Sequence, residues 1–186
     1  MLNQNGKTRI AARDSFWSNI FKKKNDEGED VLSTLRDVPL FSNMSEGELR
    51  EFEKLIHRRQ FKGGETIFWE GEPGVGMYVI QHGAVNILKH APSEEREVLA
   101  VLHDGEFFGE LALLDESPRS ASAIAKEPAR ILGLFRPDLF GLLERKPRLG
   151  CKFLFQLALI IGERLKHSNF EMQNLRSQVD RTDIIV

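Results

Sequence analysis

The spacing of apolar residues changes twice along the chain, near residue 58 and near residue 135. Ahead of the first change it is helical. Leu32, Leu35 and Val38 stand three apart before Pro39, and Ser45-Glu46-Gly47-Glu48 has the form of a capping box, in which the serine and glutamate side chains each take a backbone N–H of the first turn. This predicts a helix with Leu49, Phe52, Leu55 and Ile56 turned inward. Further upstream, Asp14-Ser15 predicts the cap of a short helix with Phe16, Trp17, Ile20 and Phe21 on one side, followed by basic Lys22-Lys23-Lys24 and an acidic stretch over 26–30. Such a face either packs on the main domain or a dimer mate, or docks on a partner or a membrane surface.

Between the two changes the runs are short, apolar or alternating: Thr66-Ile67-Phe68-Trp69, Met77-Tyr78-Val79-Ile80, Ala84-Val85-Asn86-Ile87-Leu88, Val98-Leu99-Ala100-Val101-Leu102, Ser122-Ala123-Ile124-Ala125 and Ile131-Leu132-Gly133-Leu134. Turn residues separate them, among them Gly63-Gly64, Gly71, Pro73-Gly74, Gly83, Gly105 and Pro128. Many short strands at this spacing predict an antiparallel sandwich or barrel, and a jelly roll also hides its edges.

Helical spacing then returns. Arg136-Pro137-Asp138 puts proline in a first turn, with Leu139, Leu142 and Leu143 as the apolar side, and a second helix is expected from Pro147. Along it Leu154, Ala158, Ile161, Leu165, Ser168, Met172, Leu175 and Val179 alternate in steps of four and three, the period of a coiled-coil seam. The stripe serves either a homodimer or a helix folded back on its own barrel, and its length favours the dimer.

Composition narrows the function classes. With 41% hydrophobic and 29% charged residues the 186-residue chain suits one globular core plus helical extensions. A net charge of -2 gives no overall attraction to nucleic acid. Cys151 is the single cysteine, so no intrachain disulfide or thiol cluster for a metal can form, and a reducing, cytoplasmic setting is expected. No apolar stretch reaches the length of a membrane span, so no integral membrane segment is expected. His57, His82, His90, His103 and His167 are scattered, which argues against a cupin-type metal site and against enzyme activity.

The chemistry concentrates in residues 105–122. Glu110 and the residues to 115 can form about one and a half helical turns, with Gly109 letting the backbone approach a ligand just before them. The free N–H groups at such an end attract an anion. Arg119, after Pro118, offers a planar fork of donors suited to phosphate, and Ala112, Ser120, Ala121 and Ser122 are small enough to leave room. A carboxylate at Glu110 repels phosphate unless it accepts hydrogen bonds from another group, such as a ribose hydroxyl. Taken singly, Glu110 could serve only the helix dipole, and Arg119 only a surface pair with Asp115 or Glu116.

Phe108-Gly109-Glu110-Leu111-Ala112-Leu113 and Pro118-Arg119-Ser120-Ala121-Ser122 together resemble the phosphate-binding cassette of the cyclic-nucleotide-binding family. That family includes regulatory subunits of cyclic-nucleotide-dependent kinases, gated channels and catabolite-activator-type regulators. Phe61-Lys62-Gly63-Gly64-Glu65-Thr66-Ile67, Gly71-Glu72-Pro73-Gly74, Met77-Tyr78-Val79-Ile80 and Gly83-Ala84-Val85 resemble its early strands and turns, so the likeness spans residues 38–165. The resemblance implies a mainly β fold with flanking helices: an eight-stranded β-roll, or double-stranded β-helix of jelly-roll, cupin-like form, preceded by N-terminal helices and followed by a long C-terminal helix.

It also implies that Arg119 engages the cyclic phosphate and Glu110 the ribose 2′-hydroxyl, with Phe108, Gly109, Leu111, Ala112, Ser120, Ala121 and Ser122 completing the site. The ligand is cAMP or cGMP, with no metal. A hydroxyl residue directly after the arginine, here Ser120, can help cGMP in the family but also occurs in cAMP binders, and cAMP is favoured. Phe170 is a candidate to cover the base.

The expected organisation is an N-terminal extension over 1–30, the nucleotide-binding β-roll with flanking helices over 31–146, and a C-terminal lid and dimerisation helix with tail over 147–186. About ten residues follow Leu175, too few for a helix-turn-helix, so no DNA reader is expected. The chain reads as a stand-alone, bacterial-type sensor that signals to an effector protein the sequence does not identify. Its alternative is a scaffold of the same fold with an unused pocket.

Overall fold

The computed structural model describes residues 31–90 and 96–182; the expected helix around Phe16 and Trp17 lies outside them. The chain divides into two compact units, whose described parts are residues 57–90 with 96–134 and residues 31–56 with 135–182.

The first unit is built from eight strands: β1 (His57–Phe61), β2 (Thr66–Phe68), β3 (Gly76–His82), β4 (Val85–His90), β5 (Arg96–Leu102), β6 (Phe107–Phe108), β7 (Ser122–Ala125) and β8 (Ala129–Phe135). They form two four-stranded sheets in the orders β1-β8-β3-β6 and β2-β7-β4-β5. Successive strands mostly switch sheets, which is the jelly-roll arrangement expected from the turn spacing. Two strands had no apolar run to announce them. β1 reads His-Arg-Arg-Gln-Phe with its first four side chains exposed, so it is held by its ladder to β8 rather than by burial. β6 is two residues long. By contrast β3 is buried from Gly76 through Gln81.

The second unit is helical: α1 (Val31–Asp37), a 3-10 turn (Pro39–Phe41), α2 (Glu46–Glu53), α3 (Arg136–Arg145) and α4 (Pro147–Thr182). Ser45 and Glu48 close the predicted capping box, each side chain taking the other's backbone N–H. α2 ends at Glu53, sooner than the apolar pattern implied, so Leu55 and Ile56 lie beyond it and are only half-buried. Inside this unit Phe41, Phe52 and Phe153 meet with ring centroids 5.0–5.7 Å apart, and each is buried.

The inward face of α4 differs from the predicted seam. Leu149, Phe153, Leu157 and Ile160 are buried, whereas Leu154 and Ile161 are half-buried and Ala158, Leu165, Ser168 and Met172 are exposed. The helix carries two apolar stripes about a quarter-turn or more apart. The longer one, traced by the 3.5-residue period, is the uncovered one. The side chains of Leu175 and Val179 lie outside those described.

Ion pairs tie α2 to the start of α4. Lys152 reaches Glu48 at 2.7 Å, and Glu51 accepts from Lys54 at 2.7 Å and Lys146 at 2.9 Å. Hydrogen bonds from these two lysines hold the Glu51 carboxyl down at about 2, and the Lys152 contact, with the Ser45 N–H, lowers Glu48. Because the folded state depresses both groups, their contribution is complete above the ordinary value of 4.5 and is lost as pH falls towards about 2. Thermal melts across this window should show a steep acid loss that flattens in Glu51→Gln. An unchanged slope in that variant would mean the pairs contribute nothing, as many exposed pairs do.

Candidate functional site

All nine residues singled out in 105–122 lie in the β unit, on the chain between β6 and the start of β7. After Phe108 the backbone turns through Gly109 at φ 72° into a single 3-10 turn, Glu110–Leu113. This is shorter than the one and a half turns expected, so its dipole is small and the positive charge at the site comes mainly from Arg119. Ala112 N–H already donates to the Gly109 carbonyl at 3.2 Å.

The return strand is pinned on both sides of Arg119. Its N–H donates to the Glu72 carbonyl at 2.8 Å, the Gly71 N–H donates to its carbonyl at 2.9 Å, and Pro73 bridges Pro118. The Gly71–Gly74 turn therefore sets the arginine's backbone. Gly74 is buried against Ala112, where an added Cβ would come within 2.6 Å of the Ala112 methyl, so both positions must be small for the cassette to close.

Arg119 is only 6% exposed. Its Nη1 donates to the Gly109 carbonyl at 3.1 Å, and its guanidinium carbon lies 4.1 Å from the centre of the Phe68 ring and 5.6 Å from that of Tyr78. Burial pulls its pKa below the usual arginine value, while Tyr78, Glu110 and Glu72 push back, so the group stays cationic. The surface ion pair with Asp115 or Glu116 is thereby excluded as its main role: the carboxylates acting on it are Glu110 and Glu72, and Asp115 instead takes the N–H and hydroxyl of Ser117. Glu110, at 9% exposure, is equally drawn in. The site thus holds a buried cation beside a buried carboxylate, with one arginine nitrogen, Nε, lacking a hydrogen-bond partner among the described residues.

The remaining residues separate into two groups. Leu111 and Ser120 are exposed and Ala121 is half-buried. Phe108 and Ser122 face inward: Phe108 stacks on Tyr78 at 5.5 Å, and the Ser122 hydroxyl accepts the Glu70 N–H at 2.9 Å. The spacing of the sequence missed Phe68, Tyr78 and Gly74 as site-forming residues. Gly74 stood in a family-like turn, but nothing local marks Phe68 or Tyr78 as neighbours of an arginine more than forty residues on. Phe170, the candidate cover for the base, lies on α4 and is 62% exposed.

Among the described residues no group of three or more His, Cys, Asp or Glu is placed to hold a metal ion, and no helix is long and apolar enough to cross a membrane.

A family model described as the cyclic nucleotide-binding domain matches residues 58–146, a span that contains the cassette and all of the jelly roll but its first residue, His57. Over 151 residues, 81% of this chain and 68% of the relative, the sequence is 34% identical to the cyclic AMP receptor protein of Thermus thermophilus. This chain belongs to the cyclic nucleotide-binding domain family. The crystal structure of the Thermus thermophilus catabolite activator protein superposes with a TM-score of 0.67 at 34% identity, covering 74% of this chain and 62% of that one. The cAMP-dependent protein kinase regulatory subunit of Hypocrea atroviridis is 33% identical over 125 residues, 63% of this chain but only 26% of that protein. The chain therefore spans from about a quarter to about two thirds of the length of these curated relatives. The family and fold expected from the cassette and early turns are borne out.

Proposed function

We propose that the chain is a cyclic-nucleotide sensor whose preferred ligand is cAMP, and that it acts by binding rather than by catalysis. The observation that carries this is the Arg119 guanidinium, buried, charged and left with an unpartnered Nε. A cyclic phosphate monoanion supplies the acceptor that Nε lacks, in a charge-assisted contact. Glu110 then accepts the ribose 2′-hydroxyl, and the backbone of Gly109, Leu111 and Ala112 with Ser120 and Ala121 lines the remaining surface. Support for cAMP comes from the Thermus receptor and the Hypocrea subunit, both named for it, against the cGMP-dependent protein kinase egl-4 of Caenorhabditis elegans, 35% identical over 115 residues. Calorimetric titration with each nucleotide tests the choice: tighter binding of cAMP supports it, and the reverse order assigns cGMP to the site.

The output of the sensor is a change in α4, presented to a second copy and through it to an effector protein. Ligand shifts such an equilibrium only if it binds one state more tightly than the other. Support for the second copy comes from the uncovered stripe, in which Leu165 is 59% and Met172 49% exposed at coiled-coil spacing. Sedimentation should give a dimer for the wild type and a monomer for Leu165→Asp. A wild type that stays monomeric at tens of micromolar contradicts the dimer. A cytoplasmic location fits the free, exposed Cys151.

A further inference from the structure

The aromatic residues around Arg119 form a cluster that spans both sheets. Tyr78 on β3 and Phe108 on β6 stand directly opposite each other in the antiparallel ladder, and Phe68 comes from β2 in the other sheet. Phe68 lies 5.8 Å from the Tyr78 ring and 5.9 Å from the Phe108 ring, so its position is set by both layers of the roll. The guanidinium rests over this ring at 4.1 Å. A guanidinium stacked by its flat face keeps its N–H groups in the plane, where the stack does not use them. One of them, on Nη1, goes to the Gly109 carbonyl. The backbone there is left bare for it, since a Cβ on Gly109 would fall 2.7 Å from Nη1. Nε is buried without an acceptor.

Resting on the proposed nucleotide reading, we infer that Phe68 is a positioning residue for ligand affinity: its ring fixes the Arg119 guanidinium so that the Nε edge is pre-aligned for the phosphate. A long, flexible arginine without this support loses rotamer freedom when it binds. A ring that instead sequestered the arginine would have to be displaced on binding, and removing it would raise affinity. The two roles predict opposite signs.

The test is calorimetry with cAMP on the wild type, Phe68→Leu, Phe68→Tyr, Arg119→Lys and the double variant Phe68→Leu/Arg119→Lys. Lysine keeps the charge, but its compact, strongly hydrated ammonium has neither a flat face nor an Nε edge. Phe68→Leu should weaken binding about tenfold in the wild-type background, and by no more than about twofold on top of Arg119→Lys, while Phe68→Tyr stays close to wild type. Phe68→Met repeats the measurement with a ringless side chain of similar bulk should the leucine variant not fold. Equal losses in both backgrounds would make Phe68 a packing residue only and overturn the inference, as would unchanged or stronger binding by Phe68→Leu. A wild type that binds neither cyclic nucleotide overturns the functional reading itself; a wild type that binds with no coupling between the two positions overturns this inference alone.

Discussion

Arg119→Ala is expected to weaken cyclic-nucleotide binding by about thirtyfold or more, because removing one partner of a buried charge-assisted contact costs roughly 2–5 kcal/mol. The wild-type side chain is almost wholly buried, its Nη1 donating to the Gly109 carbonyl and its charge supported by Tyr78, Glu110 and Glu72. The variant leaves the phosphate without its cation while the Glu110 carboxylate stays in the site. Repulsion therefore adds to the lost attraction. Direct titration of both proteins, with circular dichroism to establish that the variant remains folded, reads the effect. An affinity within about threefold of wild type would remove Arg119 from the phosphate site, since that is well under the cost of losing a charge-assisted contact.

Phe153→Ala should lower the stability of the helical unit by about 3–5 kcal/mol. Phe153 is fully buried on α4, and its ring lies 5.0 Å from Phe52 and 5.7 Å from Phe41, so truncation opens a cavity bounded by two rings that cannot both move into it. A helix-rich melting transition lower by roughly 6–20 °C follows for a chain of this size. Phe153→Leu, which keeps most of the volume, should recover much of the loss. A shift of only a degree or two for the alanine variant would show that the inward face of α4 is not a packed core.

The same residue explains where the sequence misled. Phe153 belongs to the stripe Leu149, Phe153, Leu157 and Ile160 that α4 turns inward, yet the 3.5-residue period picks out Leu154, Ala158 and Leu165 because that stripe is longer. Periodicity detects an apolar face and cannot tell a face buried within the chain from one left for a partner. The strands show the complementary limit. β3 and β4 were legible because burial demands apolar runs, whereas β1 is polar and held by its ladder to β8, and β6 is too short to have a pattern.

The cassette was legible for a different reason. Gly109, Glu110 and Arg119 lie within eleven consecutive residues, so the charge, the left-handed backbone and the small residues can be read together. The ring beneath the arginine could not be. Phe68, Tyr78 and Phe108 are brought together by strand order and by the Tyr78–Phe108 register, neither of which a local window contains. Ser122 illustrates the intermediate case: the sequence offers it as a small residue of the cassette, and in the fold its hydroxyl accepts the Glu70 N–H and so helps to hold β7 against the preceding turn.

Nucleotide binding by the unmodified protein is the direct measurement of the central claim. Calorimetric titration of wild-type protein with cAMP should give saturable binding at one site per chain with a dissociation constant on the order of micromolar or tighter. Absence of binding by folded wild-type protein to both cAMP and cGMP would contradict the account and leave a family member that uses this fold for interaction alone.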